Sequence, residues 1–127
     1  MEKTQIYLKS HKDRQLKELT ALLKIPSISA DPIYAEEVQN AAKWVADALV
    51  ESGLSEVQLI TTEGFPVVYG ERIVSPDAPT VLIYGHYDVQ PADPIDLWDH
   101  PPFSPIVRMK RFMPEELLMI KDKCLCM

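Results

Sequence analysis

The chain has 127 residues, 46% hydrophobic and 25% charged, which is the composition of one small globular domain at most. Its formal charge of −6, from 13 basic and 19 acidic residues, argues against a nucleic-acid binder, which needs a basic face. No apolar run nears the ~18 residues that span a bilayer, and Met1-Glu2-Lys3-Thr4-Gln5 opens no signal-peptide core, so a cytoplasmic protein without a membrane partner is expected.

Apolar residues Leu8, Leu16, Leu19, Leu22 and Leu23 recur at helical spacing between charges and predict a first helix over about 4–24. Pro26 ends it, and Ile25 to Pro32 reads as a loop with two prolines. A second helix is predicted over about 34–52. Val38, Ala41, Ala42, Val45, Ala48 and Leu49 line one face, Glu36 and Glu37 suit its positive N-terminus, and Gly53 sits where a glycine cap belongs. Strands follow. Glu56 to Thr61 alternates and reads as half-exposed, and Pro66 to Gly70 reads as a second strand. Thr80-Val81-Leu82-Ile83-Tyr84 is a continuous apolar run, as expected of a strand buried on both faces. Helices followed by strands predict an α/β layer fold.

The chemistry concentrates after that run, in Gly85-His86-Tyr87-Asp88-Val89-Gln90-Pro91. A His at the C-terminal end of a buried strand lies where α/β sheets place their active sites. In extended chain His86 and Asp88 share a face, because strand side chains repeat every two residues. A carboxylate beside a His fixes its tautomer and leaves the other ring nitrogen for a metal. Gly85 would let the backbone pass close to an occupant. The competing interpretation is a polar turn that closes a strand, since His-x-Asp alone is common. Next comes a proline-rich loop with aromatic anchors, Asp96-Leu97-Trp98-Asp99-His100-Pro101-Pro102-Phe103. His100 fits a loop residue better than a ligand, His11 fits a solvated helix position, and Trp44 fits packing.

The composition breaks once. Residues 1–108 hold no Cys and only the initiator Met, whereas the last 19 residues hold Cys124, Cys126 and four of the five Met. The body has 9 basic and 16 acidic residues, and the tail has 4 and 3. Two Cys so close make no disulfide framework, and half of a soft-metal site is the weaker alternative for them.

Taken in order, Ile25-Pro26-Ser27-Ile28-Ser29, Gly85-His86 to Gln90-Pro91 and the Trp98 to Phe103 loop resemble a family pattern over nearly all of residues 5–108. The family is the di-zinc metallopeptidases of carnosinase, cytosolic non-specific dipeptidase, acetylornithine deacetylase and succinyl-diaminopimelate desuccinylase; Val89-Gln90-Pro91 and the Trp…Pro-Phe loop resemble its dipeptidase branch. The resemblance implies the N-terminal part of a three-layer zinc-peptidase catalytic domain, incomplete here. It implies His86 as a metal ligand and Asp88 as the catalytic carboxylate that orients it, with the Trp98 loop beside the pocket. It implies two zinc ions in a complete site (manganese or cobalt as substitutes), a dipeptide or small amide substrate, and a homo-oligomer as one state of the complete enzyme. A bridging Asp, a general base and the remaining ligands belong to later motifs, so this chain alone is expected to be inactive and not to retain zinc.

The tail from Met109 matches the family read in another frame. Starting each codon one nucleotide earlier forces GAA across Met109/Lys110, GCC across Met113/Pro114 and GAT across Met119/Ile120. The remaining overlaps permit Ile-Tyr-Ala-Arg-Gly-Ala-Ser-Asp-Asp-Lys-Gly-Gln, which resembles the family's second motif with its bridging Asp. The expected organisation is therefore 1–108 as metallopeptidase and 109–127 as an out-of-frame tail, able to form a short helix from Pro114. Two alternatives stand beside it. One is a short non-enzymatic protein that pairs with a full-length relative. The other is a fragment of an amidohydrolase acting on N-acyl amino acids.

Overall fold

A computed structural model describes residues 2–109 and 118–119 of the chain. It divides into two compact units, one of residues 25–91 and one of residues 1–24 with 92–127.

In the second of these, helix α1 spans Glu2–Ser10 and helix α2 spans Lys12–Leu23. The single helix predicted over 4–24 is thus broken at His11. The cause is local competition for one carbonyl. The Tyr7 carbonyl oxygen accepts from the Ser10 hydroxyl at 3.0 Å, from His11 Nδ1 at 2.9 Å and from the His11 amide at 3.1 Å. Side chains that reach back to the backbone in this way compete with the helical ladder. The His11 ring also stacks on Tyr7, with centroids 4.0 Å apart, so it is held by a neighbour rather than merely solvated. Helix α2 stops at Leu23, ahead of Pro26, as predicted. Neither helix buries a residue fully, and Ile6, Tyr7 and Leu8 are exposed. Later in this unit come a 3₁₀ turn at Ile95–Leu97 and a short antiparallel strand pair.

The unit of residues 25–91 is built on a longer helix. Asp31 opens it: its carboxylate accepts from the Ile33 amide at 3.0 Å and caps a 3₁₀ turn at Pro32–Tyr34. Helix α3 then runs Ala35–Glu51, one residue inside the predicted span at each end. Val38, Ala41 and Ala42 of the predicted face are fully buried. The helix closes with both bonds of a Schellman cap: Gly53 N–H donates to the Val50 carbonyl at 3.0 Å and Leu54 N–H to the Leu49 carbonyl at 3.2 Å. Gly53 has φ +90, a conformation that a side chain resists.

Strands β1 (Glu56–Ile60) and β2 (Val67–Glu71) pair antiparallel, with Glu56 opposite Glu71 and Ile60 opposite Val67. Both pack on α3. Gly70 permits the close approach: a Cβ there would lie 2.7 Å from Leu54 Cδ2 and 3.3 Å from Leu49 Cδ1.

Residues 80–84 do not form the doubly buried strand that their composition predicts. No strand is assigned there, and Val81, Leu82, Ile83 and Tyr84 are 80%, 89%, 89% and 90% exposed. A strand buried on both faces needs a partner on each edge and a layer on each face. The described residues supply neither; β1 and β2 form a sheet of two strands. Arg108–Met109 (β3) pairs antiparallel with Leu118–Met119 (β4). Residues 110–117 and 120–127, which include the start of the expected tail helix and both Cys, lie outside the described residues.

Candidate active site

The site lies within the unit of residues 25–91, where two stretches far apart in sequence run side by side. Ile28 and Val89 form a parallel bridge, and the Val89 amide donates to the Ser27 carbonyl at 2.9 Å. Two serines complete the clamp. The Ser27 hydroxyl donates to the Tyr87 carbonyl at 2.8 Å, and the Ser29 hydroxyl donates to Asp88 Oδ2 at 2.5 Å. Ser27 is 3% exposed and Ile28 is 4% exposed, so this seam is part of the core. A buried hydroxyl needs a partner, and Ser27 has one.

The seam holds His86 and Asp88 on one side of the chain, as their spacing predicts, although the segment is not a strand. His86 Nδ1 lies 2.8 Å from the Asp88 carbonyl oxygen and 3.2 Å from Asp88 Oδ1. A backbone carbonyl and a carboxylate only accept, so in neutral His86 the proton sits on Nδ1 and Nε2 carries the free lone pair. The His86 side chain is 57% exposed and that of Asp88 39%, so the pair is not sealed from solvent while Nδ1 is held. This is the arrangement in which a carboxylate orients a metal-ligating His. Gly85 has no atom within 4 Å of a built Cβ, so no described neighbour requires a glycine there.

Tyr87 anchors the same segment to the residue that precedes β2. Its hydroxyl donates to the Pro66 carbonyl. Burial raises the phenol above its ordinary value of 10.0, and the adjacent Asp88 charge adds to the shift. Neither Ser27, Ser29 nor Tyr87 was given a role by the sequence alone. The available signal was the Ser-x-Ser spacing of residues 27 and 29, which matches the His-x-Asp spacing of 86 and 88, but nothing local shows that the two segments meet.

The Trp98 loop belongs to the other unit. There, Trp98 Nε1 donates to the Ala92 carbonyl at 2.8 Å, Ser104 N–H donates to the Pro101 carbonyl at 3.2 Å, and the Asp93–Pro94 peptide is cis. Phe103 has φ 60, uncommon for a bulky residue.

A closed zinc site needs four ligands, or three with a water. Among the described residues no group of three or more His, Cys, Asp or Glu comes together to hold a metal ion. His86 and Asp88 thus form a pair that no third side chain of these types joins among the described residues.

Comparison with known proteins agrees with this fold. No family model matches the chain. It is 33% identical over 110 residues to the Cys-Gly metallodipeptidase DUG1 of Saccharomyces cerevisiae, covering 77% of this chain and 23% of that protein. It is 34% identical over 101 residues to the cysteinylglycine-S-conjugate dipeptidase of Corynebacterium striatum, covering 80% and 22%. A shorter match, 58% over 31 residues, is to the succinyl-diaminopimelate desuccinylase of Aromatoleum aromaticum. The solved structure of the di-peptidase Dug1p from Saccharomyces cerevisiae superposes with a TM-score of 0.72 at 31% identity, over 80% of this chain and 23% of that one. The fold is therefore that of the N-terminal part of a metallopeptidase catalytic domain. The chain belongs to the metallopeptidase family of these dipeptidases and desuccinylases, and spans about a quarter of the length of the two dipeptidases.

Proposed function

We propose that the chain is the first part of a dipeptidase-type enzyme whose reading frame changes after Arg108, and that on its own it does not hydrolyse amides. The observation that carries this is the His86–Asp88 pair, with Nδ1 engaged and no third His, Cys, Asp or Glu gathered beside it among the described residues. His86 is the metal ligand and Asp88 the carboxylate that orients it. In a complete site the expected metal is zinc, which lowers the pKa of a bound water and polarises a carbonyl. With no third donor beside the pair, no hydrolytic step is assigned to the described residues. The substrate class of the complete enzyme is a dipeptide, the class that two of the relatives are named for.

The frame change is supported by the composition break at Met109 and by the family motif that the shifted codons permit. Nucleotide sequence across codons 105–127 tests it. The expected result is that the overlaps left open by the genetic code read as that motif. Codons that place unrelated residues there overturn the frame change and leave the tail as native sequence.

A further inference from the structure

We propose that Ser29 is a positioning residue for His86, acting through Asp88. The inference rests on the metal-donor reading above for its use, but not for its geometry. The Ser29 hydroxyl donates to Asp88 Oδ2, and the other carboxylate oxygen, Oδ1, faces His86 Nδ1 at 3.2 Å. Each oxygen of Asp88 thus has its own partner, one on each side of the carboxyl group. A carboxylate bound at one oxygen alone can rotate about its terminal torsion, which is broad. With Ser29 on Oδ2 that rotation is blocked, and Oδ1 stays aimed at the imidazole. The Asp88 carbonyl at 2.8 Å from the same Nδ1 works in the same sense. Its position is fixed by bonds on either side, from the Ser27 hydroxyl to the Tyr87 carbonyl and from the Val89 amide to the Ser27 carbonyl. Ser27 and Ser29 therefore divide the work: the first places the backbone of residues 87–89, the second sets the carboxylate. The result is an imidazole kept in the Nδ1–H tautomer, with the lone pair on Nε2, the state a metal donor requires.

The test reads the tautomer directly. The chain, labelled with nitrogen-15 on histidine, is examined by magic-angle-spinning NMR at pH about 8.5, above the ordinary histidine range. This method reads soluble and associated protein alike, and His86→Asn assigns the signals. The expected native spectrum has His86 predominantly Nδ1–H. In Ser29→Ala the ratio of Nδ1–H to Nε2–H should fall roughly threefold or more, as for loss of one charge-assisted hydrogen bond, and Ser29→Thr should restore it. An unchanged ratio in Ser29→Ala overturns the proposal. So does a fall that Ser29→Thr does not rescue, which marks a packing defect, and so does a native His86 without the Nδ1–H preference. Excess zinc ion added to the native chain separates the two claims. A Ser29-dependent tautomer with no zinc effect at His86 Nε2 supports positioning and counts against the metal-donor role.

Discussion

The Tyr87 phenol is tied to the Pro66 carbonyl by a bond that exists only while the phenol keeps its proton. Its folded pKa is raised, first by burial and then by the Asp88 charge, above the value of 10.0 expected when unfolded. Its contribution to stability is therefore complete below pH 10 and is lost as the pH climbs through the raised folded value. Tyr69 is also raised, chiefly by the bond from its hydroxyl to Glu71 Oε2 at 2.7 Å. An alkaline titration followed by phenolate absorbance should show the Tyr69 and Tyr87 phenols ionising above their ordinary value. Tyr87→Phe should remove one of these two late steps; a late part of the curve that Tyr87→Phe leaves unchanged contradicts the assignment. At this scale the His-x-Asp pair was legible, because a two-residue spacing brings side chains together in any extended chain. Ser29 was not, because it lies 59 residues from Asp88 and meets it only in the folded seam.

Local signals carried the elements whose causes are local. Helix α3 follows its apolar face and ends at its glycine. The cap gives a direct prediction. A Cβ at Gly53 would meet nothing closer than Arg72 at 3.7 Å, so Gly53→Ala is penalised by φ +90 and not by crowding. The cost should be about 1–2 kcal/mol. Amide exchange at residues 52–54 should then speed by a factor of roughly 5–30; unchanged protection would mean that the cap is not formed. The break at His11 escaped periodicity because it arises from two side chains competing for the Tyr7 carbonyl. The run Thr80 to Tyr84 misled in another way. Its composition records the environment it suits, a sheet interior, and no described residue of this chain supplies one. Left exposed and uncharged, such a segment pairs with other copies. Leu82→Lys should therefore lower light scattering and hydrophobic-dye binding by roughly twofold or more. Equal scattering from both proteins would place the association elsewhere.

For the whole molecule, the decisive fact is how much of a catalytic domain 127 residues can hold. About a quarter of a dipeptidase brings one oriented histidine and its carboxylate, with the serine clamp behind them. Among the described residues no third donor joins this pair, so the purified chain should carry less than about 0.1 zinc per molecule after dialysis. His86→Ala should leave that value unchanged. Retention of one or two ions, lost in His86→Ala, would show that the chain completes a site by itself.

The most direct measurement is restoration of one nucleotide just before the Met109 codon, followed by assay of the product. The repaired gene should encode the second family motif and the sequence downstream of it. Its product should hydrolyse dipeptides with zinc, manganese or cobalt, and lose that activity to chelators. His86→Ala should remove most of the activity, and Asp88→Ala should reduce it by ~10–100-fold, as is typical when the group orienting a ligand is lost. A restored frame that meets a stop codon at once, or encodes nothing related to the dipeptidases, contradicts the account and returns residues 109–127 to the native protein.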